Sequence, residues 1–201
     1  ASNNVAIGAY ALLANTTGST NVAVGRSALD ANTTGDYNVS IGGHSLGANT
    51  TASYNSALGY SALNANTTGA SNTAAGYNCL GSNTDGDSNT AVGKNALDAN
   101  TTGNSNTALG DSALGANTGA SNNVAVGKSA LAANDTGANN TAVGQGALEA
   151  NTASYNTAVG QGALYANTTG TRNTVVGNNA MDACTIGRYN VAMGYDALGT
   201  D

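Results

Sequence analysis

A period of seventeen residues runs from one end of this chain to the other, and it constrains the fold more than any other feature. The phrase Asn-x-Ala-x-Gly, with Ser40 and Val175 replacing Ala in two copies, closes at Gly8, Gly25, Gly42, Gly59, Gly76, Gly93, Gly110, Gly127, Gly144, Gly160, Gly177 and Gly194. Every step between these glycines is seventeen residues except Gly144 to Gly160, which is sixteen. A short fixed period over the whole length predicts a solenoid, each repeat forming one coil of a shared core. Coils start at Asn4, Asn21, Asn38, Asn55, Asn72, Asn89, Asn106, Asn123, Asn140, Asn156, Asn173 and Asn190, and residues 1–201 read as one repeat domain. The pattern is already running at Ala1 and still running near Asp201, so the chain is expected to be a segment of a longer fibre.

Counted from its first Asn, the repeat reads Asn-[Val/Thr]-Ala-[Val/Ile/Leu]-Gly at positions 1–5, Ala-Leu at 8–9 and Ala-Asn-Thr-Thr-Gly at 11–15. The first phrase, small and β-branched and closed by glycine, predicts a short strand. Ala-Leu lies too close to the next turn signal for a stable helix, so it is expected to be a second short strand or extended segment. Two short strands and two corners make one coil of a parallel all-β stack. At about 4.8 Å per coil, twelve coils span nearly 60 Å.

Composition supports this reading. The chain has no Pro, Trp or Phe, 28 Gly and only 8% charged residues. A bulky core cannot be built from it, so burial must come from small residues stacked closely, and the strict phasing of apolar positions argues against disorder. A net charge of −6, with five scattered basic residues (Arg26, Lys94, Lys128, Arg172, Arg188), leaves no footprint for nucleic acid. No apolar run approaches the roughly 20 residues that span a bilayer, so this segment is not expected to insert into a membrane.

The strand pattern implies more than a coil. Position 4 is Ile7, Val24, Ile41, Leu58, Val92, Leu109, Val126, Val143, Val159, Val176 or Met193, with Ala75 the weak copy. Position 3 points the opposite way and is almost always Ala. Such a strand is apolar on both faces and needs cover on both. One face can be covered within the coil. The other requires a neighbouring copy of the chain, or else a monomeric coil wide enough to bury both faces.

The Asn at position 1, in all twelve coils, and the Asn at position 12, from Asn15 to Asn167, are expected to stack as amide ladders at corners. Gly at position 5 suits a corner with positive φ. The corner from position 12 to 17 absorbs the deletions: Asn49-Thr50-Thr51-Ala52-Ser53-Tyr54 becomes Asn151-Thr152-Ala153-Ser154-Tyr155, which marks an exposed turn. Cys79 replaces an Ala and Cys184 a ladder Asn. Six coils, or about 29 Å, separate them, which excludes an intrachain disulfide.

Asn4-Val5-Ala6-Ile7-Gly8 and Asn123-Val124-Ala125-Val126-Gly127 resemble the head repeats of YadA-like trimeric autotransporter adhesins. The longer form, Asn-Thr-Ala-Val-Gly-x-x-Ala-Leu-x-Ala-Asn-Thr-Thr-Gly, is similar to repeats of phage and viral tail fibres. The resemblance covers essentially the whole chain, although family heads usually have shorter repeats. It implies a left-handed parallel β-roll, assembled as a homotrimer on a cell or virion surface, that mediates attachment to a host glycan or matrix protein.

Outward aromatics are the first candidates for ligand contact. Tyr37, Tyr54, Tyr155 and Tyr189 share position 17, and Tyr60, Tyr77 and Tyr195 share position 6. A second class is ice binding through columns of Thr, but the Thr pairs are adjacent, as in Thr101-Thr102, rather than spaced to share a face. The sequence gives no support for an enzyme. His44 is the lone histidine, no metal-ligand spacing occurs, Asp85-Gly86-Asp87 lacks the rest of a calcium loop, and no cofactor motif is present.

Overall fold

A computed structural model describes residues 1–199. The expected domain's last two positions, 200 and 201, lie outside the described residues. The fold is an all-β parallel solenoid of about eleven turns, with no helix among the described residues. Twelve three-residue strands, from β1 (Val5–Ile7) to β12 (Val191–Met193), form one parallel sheet in chain order. The register keeps equivalent positions paired, as in Ala6 with Ala23 and Ile7 with Val24. Even across the sixteen-residue repeat, Thr141 faces Thr157 and Val143 faces Val159. The deletion is therefore taken up in the corner.

The strands are short because the chain turns at both ends of each. Position 5 has φ between 125° and 144° in all twelve copies, a region open to glycine alone. A Cβ on Gly93 would stand 2.5 Å from the carbonyl oxygen of Gly110 in the next coil. Before the strand, position 17 is left-handed as well, at φ 57° in Tyr37 and 59° in Ser88.

The Ala-Leu phrase is not a second strand. Position 9 is left-handed throughout, with φ 52° at Leu29 and 54° at Leu97, and position 7 is left-handed too. The segment is a chain of turns whose backbone still bonds from coil to coil. Leu29 N–H donates to the Ser45 carbonyl at 3.0 Å, and Ser27 N–H donates the other way, to Ala9, at 2.9 Å. Left-handed leucine costs about 1–2 kcal/mol. Full burial of its side chain gains about 1.5–3 kcal/mol, and the inter-coil hydrogen bond adds to that, so tertiary contact wins over local preference. The result is a column of fully buried leucines from Leu29 to Leu164.

The core is thin. Position 3 meets positions 8 and 9 across the coil, as in Ala91 with Ala96 and Leu97. In β3 (Val39–Ile41) the separation is made visible by a double exchange: Ser40 at position 3 and Ser45 at position 8 have hydroxyls 2.5 Å apart. Both are fully buried, and Ser40 also donates to the Ser45 carbonyl at 2.8 Å. In β11 (Thr174–Val176), the larger Val175 occurs in the coil where Met181 replaces the column leucine. An unbranched thioether adapts to the added volume.

The two Asn columns edge this core and differ in their bonding. At position 12 the amides bond to one another as expected: Nδ2 of Asn32 donates to Oδ1 of Asn15 at 3.0 Å, and the ladder continues unbroken to Asn117. At position 1 the partners are mainly backbone. Oδ1 of Asn21 accepts the N–H of Asn38 at 2.8 Å, while its Nδ2 donates to the Gly35 carbonyl at 2.8 Å. From Asn4 to Asn173 each position-1 side chain thus satisfies a donor at the start of the next strand and an acceptor at its own corner. The amide-to-amide bond is secondary there, as between Asn106 and Asn89 at 3.2 Å.

Candidate functional site

Three surfaces come out of this arrangement, and the first is the outer face of the sheet. Position 3 is buried in every coil after the first, which turns positions 2 and 4 outward. No position-4 side chain is buried: Leu58 is 56% exposed, Leu109 45%, and the valines are half-buried by their neighbours in the column. A single chain does not bury both faces of its strands. The stripe from Ile7 to Met193 is therefore not core of its own coil. It is a continuous apolar surface interleaved at position 2 with Thr73, Thr90, Thr107 and Val124 among others.

The second surface is aromatic. Tyr37 and Tyr54 stack with ring centroids 5.3 Å apart and planes 3° from parallel. Tyr155 and Tyr189 stand two coils apart, and Arg172 lies between them at the same corner position, 5.3 Å from one ring and 5.6 Å from the other. At position 6, Tyr60 stacks on Tyr77 at 5.9 Å, with His44 edge-on to Tyr60 at 5.8 Å. Tyr195, in the final coil, has no stacking partner among the described residues. The period itself thus brings Tyr37 to Tyr54 and Tyr60 to Tyr77, while Tyr155 and Tyr189 are joined through Arg172. Their rings remain more than half exposed.

The corner threonines are mostly occupied. Most position-13 hydroxyls donate to the next coil's carbonyl, as Thr16 does to Thr33 at 2.9 Å and Thr101 to Thr118 at 2.9 Å, while Thr118 donates to the Asp135 carboxylate at 2.6 Å. Asp85 accepts from Thr68 and Thr84, which holds its carboxyl below the ordinary range. Burial raises the Asp98 carboxyl above the ordinary range. Among the described residues no three His, Cys, Asp or Glu side chains gather at metal-binding distance.

Both cysteines are free. Burial in the column of position-8 alanines pushes the Cys79 thiol up to about 12, so it has little thiolate and little reactivity. Cys184 interrupts the position-12 ladder, and the fully buried Asn167 one coil before it has an Oδ1 with no partner. Among the described residues, Oδ1 of Asn117 is a second buried side-chain oxygen without a partner, in the coil whose corner reads Asn-Thr-Gly-Ala.

The third surface is a depression of about 310 Å³ on the turn side of the ninth to eleventh coils. Reading one repeat at a time does not reveal it. The cue is the paired Gly146 and Gly162 at position 7, where other copies carry a side chain. No protein-family model, no curated protein and no solved structure matches the chain.

Proposed function

We propose that the chain is a rigid structural and adhesive segment of an extracellular surface fibre, either a bacterial adhesin head or a phage or viral tail fibre. In this reading three copies pack as a left-handed β-roll homotrimer, and the assembly projects from its surface to mediate attachment. The observation that carries it is the outward apolar stripe of position 4. An apolar stripe running the length of a solenoid is the kind of extended patch that marks an interaction surface. Apposing the sheet faces of like copies covers every position-4 side chain at once, because all copies share one period. Coil-to-coil hydrogen bonding supplies the stiffness that a projecting segment needs. Ice binding through corner Thr columns has less support, because most position-13 hydroxyls already donate to backbone carbonyls.

Sedimentation equilibrium tests the assembly. The expected mass is three times the 19.4 kDa of one chain. Val92→Asp combined with Val126→Asp, both at outward positions, is expected to lower the mass while each chain keeps its β-type circular dichroism. A wild-type chain that sediments as a stable monomer sinks the proposal.

A further inference from the structure

We propose that the depression on the turn side of coils nine to eleven binds an uncharged saccharide, which deepens the attachment reading by naming a ligand class and a place. Its walls are Gln145 and Gln161 at position 6 and Glu149, Tyr165 and Asp182 at position 10, with Asn179 at position 7. The depression exists because two successive coils have glycine at position 7. Tyr165 leans over Gly146, where a Cβ would stand 3.5 Å from the ring, and Asn179 leans into the space above Gly162.

The chemistry of the walls selects the ligand. Three amides offer donors and acceptors together, and two carboxylates accept only, a combination that suits neighbouring hydroxyls on a polyol ring. Tyr165, 46% exposed, supplies a rigid amphipathic face for the less polar side of such a ring. No Lys or Arg lines the site, so a sialic or uronic acid would meet two carboxylates with no counter-charge. An apolar ligand would leave the amides unpaired. The volume lies at the small end of the ~300–1,000 Å³ range of ligand sites, enough for one or two sugar rings. Positions 6, 7 and 10 belong to the wall whose inward Ala and Leu face the strands, so this surface points away from the apolar sheet face and stays open when that face is covered.

The test is to apply the 201-residue chain to a panel of neutral glucose-, galactose- and N-acetylglucosamine-containing oligosaccharides and their sialylated counterparts, then to titrate the best neutral binder by calorimetry. A neutral oligosaccharide is expected to bind. Tyr165→Ala is expected to weaken it about tenfold or more. Gly146→Ser with Gly162→Ser is expected to do the same by filling the floor. Serine already stands at position 7 in Ser27, Ser61, Ser112 and Ser129 with φ 52–56°, so the backbone tolerates it, and at Gly162 only the flexible Asn179 amide, with Oδ1 2.6 Å from an added Cβ, must turn aside. Tyr10→Ala, exposed in the first coil and far from the depression, should leave the affinity unchanged. Retention of no neutral glycan, preference for the sialylated forms, or indifference to Tyr165→Ala each overturns the proposal. If the chain sediments as a trimer but retains no glycan, the groove fails while the fibre reading stands. Binding by a monomer supports the groove and sinks the trimer.

Discussion

The two walls of each coil use the same coil-to-coil hydrogen bonding on different backbones. The strand wall is extended, small on its inner side and apolar on its outer side. The turn wall is left-handed at positions 7 and 9, buries the largest core side chain and presents polar or aromatic groups outward. One wall gains stability within the chain at the cost of local strain. The other is unstrained and leaves apolar surface uncovered. Folding of the single coil therefore depends most on the turn wall, and association on the strand wall.

Substitutions can break or sharpen this contrast. The largest effect is expected on the turn wall: Leu97→Ala should destabilise the chain by about 2–5 kcal/mol in urea denaturation, since it empties a fully buried site in a column with no slack. Asn89→Ala comes next, at about 2–4 kcal/mol in the same measurement. It strips the partner from the Asn106 N–H, bound at 3.0 Å, and from the Gly103 carbonyl, bound at 2.9 Å.

A smaller but more discriminating test places one residue type on both walls. Thr107→Val, outward on a strand, should change stability by less than about 0.5 kcal/mol. Ser112→Val, at φ 54°, should cost about 1–2 kcal/mol, because a β-branched residue resists the left-handed region. Equal effects at the two sites would remove the distinction between the walls. The smallest net change is expected in a double-mutant cycle across the core. Ser40→Ala and Ser45→Ala should each cost less than about 1 kcal/mol, because the remaining hydroxyl keeps a backbone acceptor, the Ser45 carbonyl for Ser40 and the Gly42 carbonyl for Ser45, while the double variant restores the Ala–Ala pair of other coils and should be close to neutral.

Much of the strand wall was legible in the sequence. A strand must alternate its side chains, so Ala at position 3 and Val or Leu at position 4 announced opposite faces. Invariant Gly at position 5 announced a corner that a Cβ would block. The loss of one Thr between Asn151 and Tyr155 located the corner able to shorten without moving the register. The turn wall was not legible in the same way. Ala-Leu reads as extended by local preference, and the left-handed leucine is favourable only when neighbouring coils enclose its side chain. Nor could the position-1 Asn partners be read, because an amide pairs equally well with a stacked amide or with backbone, and the choice depends on where the Gly35 carbonyl and the Asn38 N–H come to lie. The depression over Gly146 and Gly162 is a property of three stacked coils, so its signal appears only when copies are compared at one position.

By itself the sequence determined the period, the parallel all-β stack, the two faces of the strand and the corner that varies, because these follow from spacing and side-chain size along one chain. Only the tertiary structure decided the backbone of the Ala-Leu wall, the partners of the Asn columns and the pairing of tyrosines such as Tyr37 with Tyr54. Those depend on contacts seventeen residues apart, whose energies of a few kcal/mol exceed the local preferences that a sequence displays.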